Sequence, residues 1–243
     1  MQEYGILFDH SLTLGFRMHD RVSDILSRHY LLVKRLLLAG SYLVLLAFFL
    51  PTAASFQRDF GEMAGNLLIV ILFLSPLSVL FRMPLLLLLM GLRRELGILM
   101  GCLALVHGVW YFVTPSFFWE TGQSLLRVSG FVWEKGIGAG IIGLALILPL
   151  LLTSNTFSVR LLGGKLWKRL HRLAYPAFFF IVFHRFFMGE SWQSPVPFVE
   201  AVLLLGTYTM MKFLAWRPTA FPWLQERIGE VGVRYRQYRM ERV

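Results

Sequence analysis

Residues Leu152–Phe187 read LTSNTFSVRLLGGKLWKRLHRLAYPAFFFIVFHRFF. In this stretch a basic segment passes into an apolar segment, and two histidines, His171 and His184, lie in or next to the apolar part. Thirteen residues of α-helix rise about 20 Å, and the apolar layer of a membrane is about 30 Å thick. The spacing therefore predicts that the two imidazoles lie at different depths of a membrane, one near each face.

The composition of the whole chain favours the membrane as its environment. Of 243 residues, 56% are hydrophobic and 16% are charged, and the mean hydropathy is +0.62. An ordinary soluble globule has a smaller apolar share. The net charge of +10 does not indicate nucleic acid, because lysine and arginine cluster in short segments between apolar runs, as they do in membrane proteins. We predict an integral membrane protein that contacts membrane lipid and no nucleic acid.

Six apolar runs predict an all-α, polytopic membrane protein with a six-helix transmembrane bundle. The glycine-rich fourth run permits close helix packing or the approach of a flat cofactor. The apolar stretch at residues 84–92 is too short to cross alone, so it is either a bent continuation of the second run or a buried turn. The runs cover about residues 31–50, 63–81, 95–113, 137–152, 173–188 and 198–216.

Lysine and arginine are distributed asymmetrically about these runs. Twenty of the 24 lie on the side of the two termini, which leaves Arg58, Arg127, Lys135 and Arg185 on the other. Because basic residues are retained in the cytoplasm, both termini are predicted to be cytoplasmic. The chain then divides into an N-terminal cytoplasmic or interfacial segment (1–30), the transmembrane domain (31–216) and a basic cytoplasmic tail (217–243). The segment 153–172 is predicted to be a basic cytoplasmic loop.

Histidines inside a membrane need a physical reason, because an ionised residue at mid-membrane costs about 2.5–3.5 kcal/mol on insertion scales. Neutral imidazole is a common axial ligand of haem iron. In the predicted topology His107 and His184 lie in the outer half of the membrane on separate helices, so they form the natural pair for one haem. His171 lies at the cytoplasmic end of the fifth run. There the third run offers Arg93 or Arg94 and no histidine.

Other interpretations of these residues remain open. Each histidine is also suited to hydrogen bonding between helices. His171 and His184 lie about 140° apart around an ideal helix, so they share a face only if Pro176 kinks the helix. Arg185 is predicted either to pair with a haem propionate or to extend to the headgroups.

Three stretches resemble the ferric-reductase-like transmembrane family. They are GNLLIVILFLSPLS (Gly65–Ser78), RRELGILMGCLALVH (Arg93–His107) and GGKLWKRLHRLAYPAFFFIVFH (Gly163–His184), and the similarity extends over about residues 61–216. The resemblance implies one or two b-type haems, with His107 and His184 binding one and His171 serving an inner one. At the position of Arg93 the related oxidases have a histidine that binds the inner haem. The resemblance therefore marks Arg93 as a cofactor-binding position, but it leaves the second ligand of the inner haem unidentified. By resemblance only, flavin mononucleotide is a possible further cofactor.

Within this family the chain looks most similar to haem-binding subunits of the bacterial inner membrane that supply a periplasmic methionine sulfoxide reductase. That similarity implies an electron conduit from the cytoplasmic side to a periplasmic reductase. No GxGxxG motif follows the sixth run, so a separate donor is expected, by resemblance a flavin reductase or quinol. The alternatives are a haem subunit of a metal reductase or of another extracytoplasmic electron-transfer system, and a haem-free membrane scaffold or transporter.

Overall fold

A computed structural model describes residues 20–49, 53–81, 83–113, 136–188 and 196–216. Within these ranges the chain is helical and forms no strand, which confirms the predicted all-α class. Residues 20–28 are helical as well. The remaining elements are α1 (Tyr30–Ala47), α2 (Ala53–Phe81), α3 (Pro84–Gly91), α4 (Arg93–Val113), α5 (Ile137–Leu152), α6 (Thr156–Leu170), a 3-10 turn (His171–Leu173), α7 (Ala174–Met188) and α8 (Val196–Trp216).

Two of the described helices are long and apolar enough to cross a membrane by themselves, Tyr30–Ala47 and Phe56–Phe81. A third span results if Ile137–Leu152 and Thr156–Met188, which are bent by 107° at their junction, are counted together. Ala201–Trp216 is a shorter apolar helix. The chain is thus a helical membrane protein, whereas the count of six spans and the cytoplasmic termini stay predictions. The division at residues 30 and 216 also stays a prediction, and residues 1–19 and 217–243 lie outside the described ranges.

The second helix begins ten residues before the predicted span. Arg58 and Glu62 were expected in a preceding loop, yet both lie within α2. They are one helical turn apart and form an exposed ion pair of 3.5 Å between Nε and Oε1. Exposed polar residues are compatible with the N-terminal part of a helix, so the start predicted from the apolar run alone was too late.

Two connections are more regular than predicted. The stretch after the second run forms a short helix of its own, α3, rather than a buried turn, and Pro84 opens this helix at a position where its missing N–H costs nothing. The segment 153–172, predicted as a loop, contains α6. The Asn155 side chain caps this helix by accepting a 2.8 Å hydrogen bond from the Ser158 N–H.

The described residues divide into two compact units. One contains residues 20–35, 73–93 and 209–216, and the other contains residues 36–72 and 94–208, apart from the undescribed gaps. The core of the second unit is apolar and is shared among α2, α4, α5 and α7. Its most deeply buried side chains include Leu68, Leu103, Ile147 and Phe178. Within a membrane, such side chains stabilise the fold through van der Waals packing between helices.

Candidate functional site

Two of the three predicted histidines face each other in the second unit. The ring centroids of His107, on α4, and His184, on α7, are 6.3 Å apart, and the ring planes are inclined by 66°. The residues are 77 positions apart in sequence. Both side chains are largely buried between helices. The predicted juxtaposition of these two imidazoles is thus present, and His184 faces the protein interior.

Each of these imidazoles is held by a main-chain carbonyl of another helix. The Nδ1 atom of His107 lies 2.7 Å from the Gln57 carbonyl oxygen, and Nδ1 of His184 lies 2.9 Å from the Gly136 carbonyl oxygen. A carbonyl only accepts hydrogen bonds, so the nitrogen that faces it carries the proton. In neutral imidazole the lone pair then resides on Nε2. Both rings are therefore oriented and fixed in the tautomer that ligates through Nε2.

Glycines allow both rings to approach helix backbones. A Cβ atom at Gly61 of α2 would lie 2.6 Å from Nδ1 of His107, and one at Gly140 of α5 would lie 2.8 Å from Nδ1 of His184. Real Cβ atoms rarely come closer than 3.0 Å to such neighbours. Any side chain at either position would therefore displace the imidazole. Together these two glycines form what we call the glycine cradle.

Gly136 contributes a conformation as well as a carbonyl. Its φ is +66°, in the left-handed region that glycine adopts without strain. A Cβ atom there would also lie 2.5 Å from Cβ of Phe187. Gly136 immediately precedes α5, so the same residue starts the helix that supports His184 and orients the His184 ring.

The structure places His171 elsewhere in the second unit, at the corner between α5 and α6. Its Nδ1 lies 3.1 Å from the Trp167 carbonyl oxygen, and its Nε2 lies 3.4 Å from Oγ of Ser154. The imidazole stacks on the Trp167 ring with centroids 3.8 Å apart. Trp167 in turn donates its Nε1–H to the Thr153 carbonyl at 2.9 Å. His171 thus makes its contacts with the corner itself, and these contacts do not join it to His107 and His184.

The 3-10 turn at residues 171–173 explains why the two histidines of this stretch separate. His171 lies in that turn, whereas α7 begins at Ala174, so the two imidazoles are not carried by one regular α-helix. Pro176 lies in the first turn of α7, where a missing N–H is tolerated. The two imidazoles do not share a site: His184 faces His107, whereas His171 faces Trp167 and Ser154.

Two predicted arginines have contacts of a different kind. Arg185 donates from Nη1 to the Asn66 side-chain oxygen at 2.7 Å, so it links α7 to α2. Arg93 places Nη1 3.8 Å from the sulfur of Met90 and belongs to the first unit. The role of Arg93 at an inner site with His171 stays a prediction.

Several residues of the site were not among the predicted ones. They support the histidines through backbone atoms or through the lack of a side chain, which leaves little chemical signal in the sequence. The glycine-rich start of α5 was such a signal, and it is where an imidazole approaches the helix. Among the described residues, no group of three or more histidine, cysteine, aspartate or glutamate side chains is arranged to hold a metal ion. The residues that the sequence did not single out are Gln57, Gly61 and Asn66, whereas Gly136 and Gly140 belong to the glycine-rich run that was expected to permit close approach.

Comparison with known proteins places the chain in a family. The family model described as "Ferric reductase like transmembrane component" matches residues 60–182. Curated relatives from Brucella ovis, Brucella canis and Brucella suis are each 34% identical over 175 residues, which is 71% of this chain and 71% of the relative. Each is named "Protein-methionine-sulfoxide reductase heme-binding subunit MsrQ". No solved structure matches the chain significantly. The chain therefore belongs to the ferric-reductase-like transmembrane family and is a relative of the MsrQ subunits.

Proposed function

We propose that this chain is a haem-binding membrane subunit that carries electrons across the membrane, with His107 and His184 as the two axial ligands of one haem. The observation that carries the proposal is the facing pair of imidazoles, each with Nδ1 directed at a carbonyl. The names of the relatives support haem as the cofactor. Haem, when bound, supplies the one-electron redox chemistry.

The separation of the rings fits one metal ion between them. A metal–imidazole bond is about 2 Å long and a ring centroid lies about 1 Å behind its nitrogen, so two imidazoles on opposite sides of one ion have centroids about 6 Å apart. The observed separation is 6.3 Å. In the described part of the chain these two imidazoles do not belong to a group of three or more metal-ligating side chains, and two facing ligands suit an ion that receives its remaining ligands from a macrocycle. This pairing favours haem over a bare metal ion.

The residues around the pair have definable tasks. The carbonyls of Gln57 and Gly136 fix the neutral tautomer and make Nε2 a stronger donor. The glycine cradle lets each ring lie against a second helix, which restricts its rotation. The side chains of Val106, one residue before His107, and Val182, two residues before His184, are buried, so both ligand helices have apolar core contacts close to the pair. Low solvent access is one of the means by which a protein sets a redox potential.

Finer assignments in this proposal rest on the sequence and on family membership. The haem is b-type, and His171 serves a second, inner haem. The chain spans the bacterial inner membrane six times with both termini in the cytoplasm. Electrons enter from a flavin reductase or quinol and leave to an MsrP-like periplasmic methionine sulfoxide reductase. Flavin mononucleotide is part of the proposal through resemblance alone.

A reduced-minus-oxidised absorption spectrum of the detergent-purified full chain, with haem counted per chain, tests the cofactor. A low-spin b-type spectrum with one or two haems per chain is expected, and the His107→Ala variant is expected to lose one of them. His29→Ala is the matched control, because His29 is exposed on the first unit and should change neither quantity. Absence of haem from protein made with ample haem supply would leave a haem-free scaffold or transporter.

A second experiment tests the acceptor. The reduced protein is mixed with an MsrP-like reductase and methionine sulfoxide, and reoxidation of the haem is followed by stopped-flow absorption. Rapid reoxidation that requires both components is expected. Reoxidation by ferric chelates alone, with no response to the reductase, would indicate a metal-reductase subunit instead.

A further inference from the structure

The segment from Thr156 to Arg172 leaves the end of α5 and returns to it. A straight helix of 15 residues is about 22 Å long, so its two ends would lie far apart. Here Trp167 donates to the carbonyl of Thr153, and His171 reaches Ser154. The chain turns at Gly163, where φ is +71° and ψ is 153°, outside the helical region. We call residues 156–172 the basic excursion, and it projects beyond the end of α5.

The basic excursion carries cations and no carboxylate. Its five lysine and arginine side chains are all exposed. No aspartate or glutamate occurs between residues 137 and 188. Within the described part of the chain, none of the five cations forms an ion pair. The excursion therefore presents a concentrated positive charge to its surroundings. The five residues are Arg160, Lys165, Lys168, Arg169 and Arg172.

Large apolar side chains are exposed among these cations. Phe157 is 71% exposed and Leu161 is 72% exposed, and the two lie one helical turn apart on the same side of α6. Leu166, beyond the turn, is 49% exposed. Three large apolar side chains are therefore exposed within ten residues of the basic excursion. The mixture of apolar groups with unpaired cations is typical of helices that lie in the boundary layer of a membrane.

We propose that the basic excursion is a binding site for anionic phospholipid. Phe157 and Leu161 enter the outer part of the acyl layer, and the cations bind headgroup phosphates. The location supports this, because α5 contains no charged residue and the excursion begins where α5 ends. An acidic soluble protein would satisfy the cations but would leave the apolar side chains unexplained. Lipid satisfies both, since basic residues near a membrane surface attract anionic headgroups.

The basic excursion also connects the lipid surface to the corner that holds His171. Trp167 belongs to the excursion and stacks on the imidazole of His171. Lipid that holds the excursion in place would therefore also hold that corner. The lipid site itself depends only on the chain being a membrane protein, so its test does not require haem.

Lipid retention by the full chain tests the site. The protein is equilibrated in nanodiscs of equal parts phosphatidylcholine and phosphatidylglycerol, extracted in mild detergent, and the phosphatidylglycerol bound per chain is counted by native mass spectrometry. The variant Arg160→Gln/Lys165→Gln/Lys168→Gln/Arg169→Gln is expected to retain several-fold less than wild type. The control removes four arginines from the C-terminal segment, Arg234, Arg236, Arg239 and Arg242, and is expected to retain the wild-type amount. Equal retention by the excursion variant and wild type would overturn the proposal.

A second measurement does not depend on how the four-fold variant folds. A nitroxide label is attached at Phe157→Cys, an exposed position, in a background where the buried Cys102 is replaced by alanine. The label is expected to collide more with oxygen, which dissolves in lipid, than with a water-soluble nickel chelate. The same label at Lys168→Cys should show the smaller oxygen preference of a group at headgroup depth. A water-like label at residue 157 would overturn the membrane assignment and favour docking of an acidic protein.

Discussion

His184 and His171 lie in one short stretch of sequence, yet their surroundings differ in kind. The hydrogen bond of His184 at Nδ1 runs to a carbonyl 48 residues away, and its ring faces His107 on another helix. His171 makes its Nδ1 contact with the carbonyl four residues before it and stacks on that same residue, Trp167. One imidazole is oriented by tertiary structure and the other by its own helix turn.

This difference separates two kinds of evidence for a ligand. A local hydrogen bond forms wherever the helix forms, so it says little about function. A pair of imidazoles joined from distant helices requires the fold to be built around them. The facing pair of His107 and His184 is therefore the better-supported site, and the role of His171 depends more on family resemblance.

The largest expected effect comes from comparing the two histidines directly. His184→Ala removes one member of the facing pair and should lower haem at that site at least tenfold, because loss of a protein ligand to a metal is rarely compensated. His171→Ala should leave the haem between His107 and His184 in place and should affect only a second haem, if one is bound at His171. Haem per chain and the low-spin spectrum are the measurements. Equal losses in the two variants would remove the distinction between the sites.

The glycine cradle provides the next test. Gly61→Ala or Gly140→Ala places a methyl group against an imidazole and should weaken haem retention about tenfold, as is common for changes that reorient a metal ligand. The rate of haem transfer to excess apomyoglobin measures the effect. Gly97→Ala is the control, since nothing lies within 4 Å of a Cβ atom at Gly97. If all three variants lose haem at the same rate, the cradle has no role in positioning.

The turn of the basic excursion allows a matched pair of substitutions with opposite expected signs. Gly163→Ala strains a left-handed residue and should destabilise the corner by about 1 kcal/mol. Gly164→Ala, in the helical part next to it, should be neutral or stabilise by about 0.5–1 kcal/mol. Neither methyl group would meet an atom within 4 Å, so backbone conformation alone distinguishes the variants. The thermal midpoint in detergent is the measurement, and equal shifts would contradict a turn at Gly163.

The smallest expected effect concerns the support of His171. Trp167→Phe keeps an aromatic ring for stacking but removes the donor to the Thr153 carbonyl, which should cost about 1 kcal/mol. The thermal midpoint should fall slightly, while the amount of haem bound between His107 and His184 should stay unchanged. A loss of that haem would show that the corner and the facing pair are coupled.

The membrane class and the helical fold follow from composition and could be predicted from the sequence. The proximity of His107 and His184 was predicted from the order of the apolar runs, whereas their role as ligands stays a prediction. The end of α5 at Leu152 was also predicted correctly, because Thr153 and Ser154 follow an unbroken apolar run. The predicted start of α2 was too late, and the segment that contains α6 was wrongly predicted to be a loop. The exposed polar turns of both segments show no apolar periodicity, so the sequence pattern did not reveal these helices. Gln57 and Gly61 were missed because they act through a carbonyl and through a missing side chain.

The facing pair is assembled from four helices, although only two of them carry its histidines. His107 on α4 is held by Gln57 and Gly61 of α2, and His184 on α7 is held by Gly136 and Gly140 at the start of α5. The site therefore has two halves, each made of a helix that carries a histidine and a helix that contacts its ring. The half formed by α2 and α4 precedes the half formed by α5 and α7 in the sequence. The hydrogen bond and the glycine contact that orient each imidazole therefore lie within its own half. A cofactor bound between them stabilises only the joined state, so its insertion would complete the folding of the second unit.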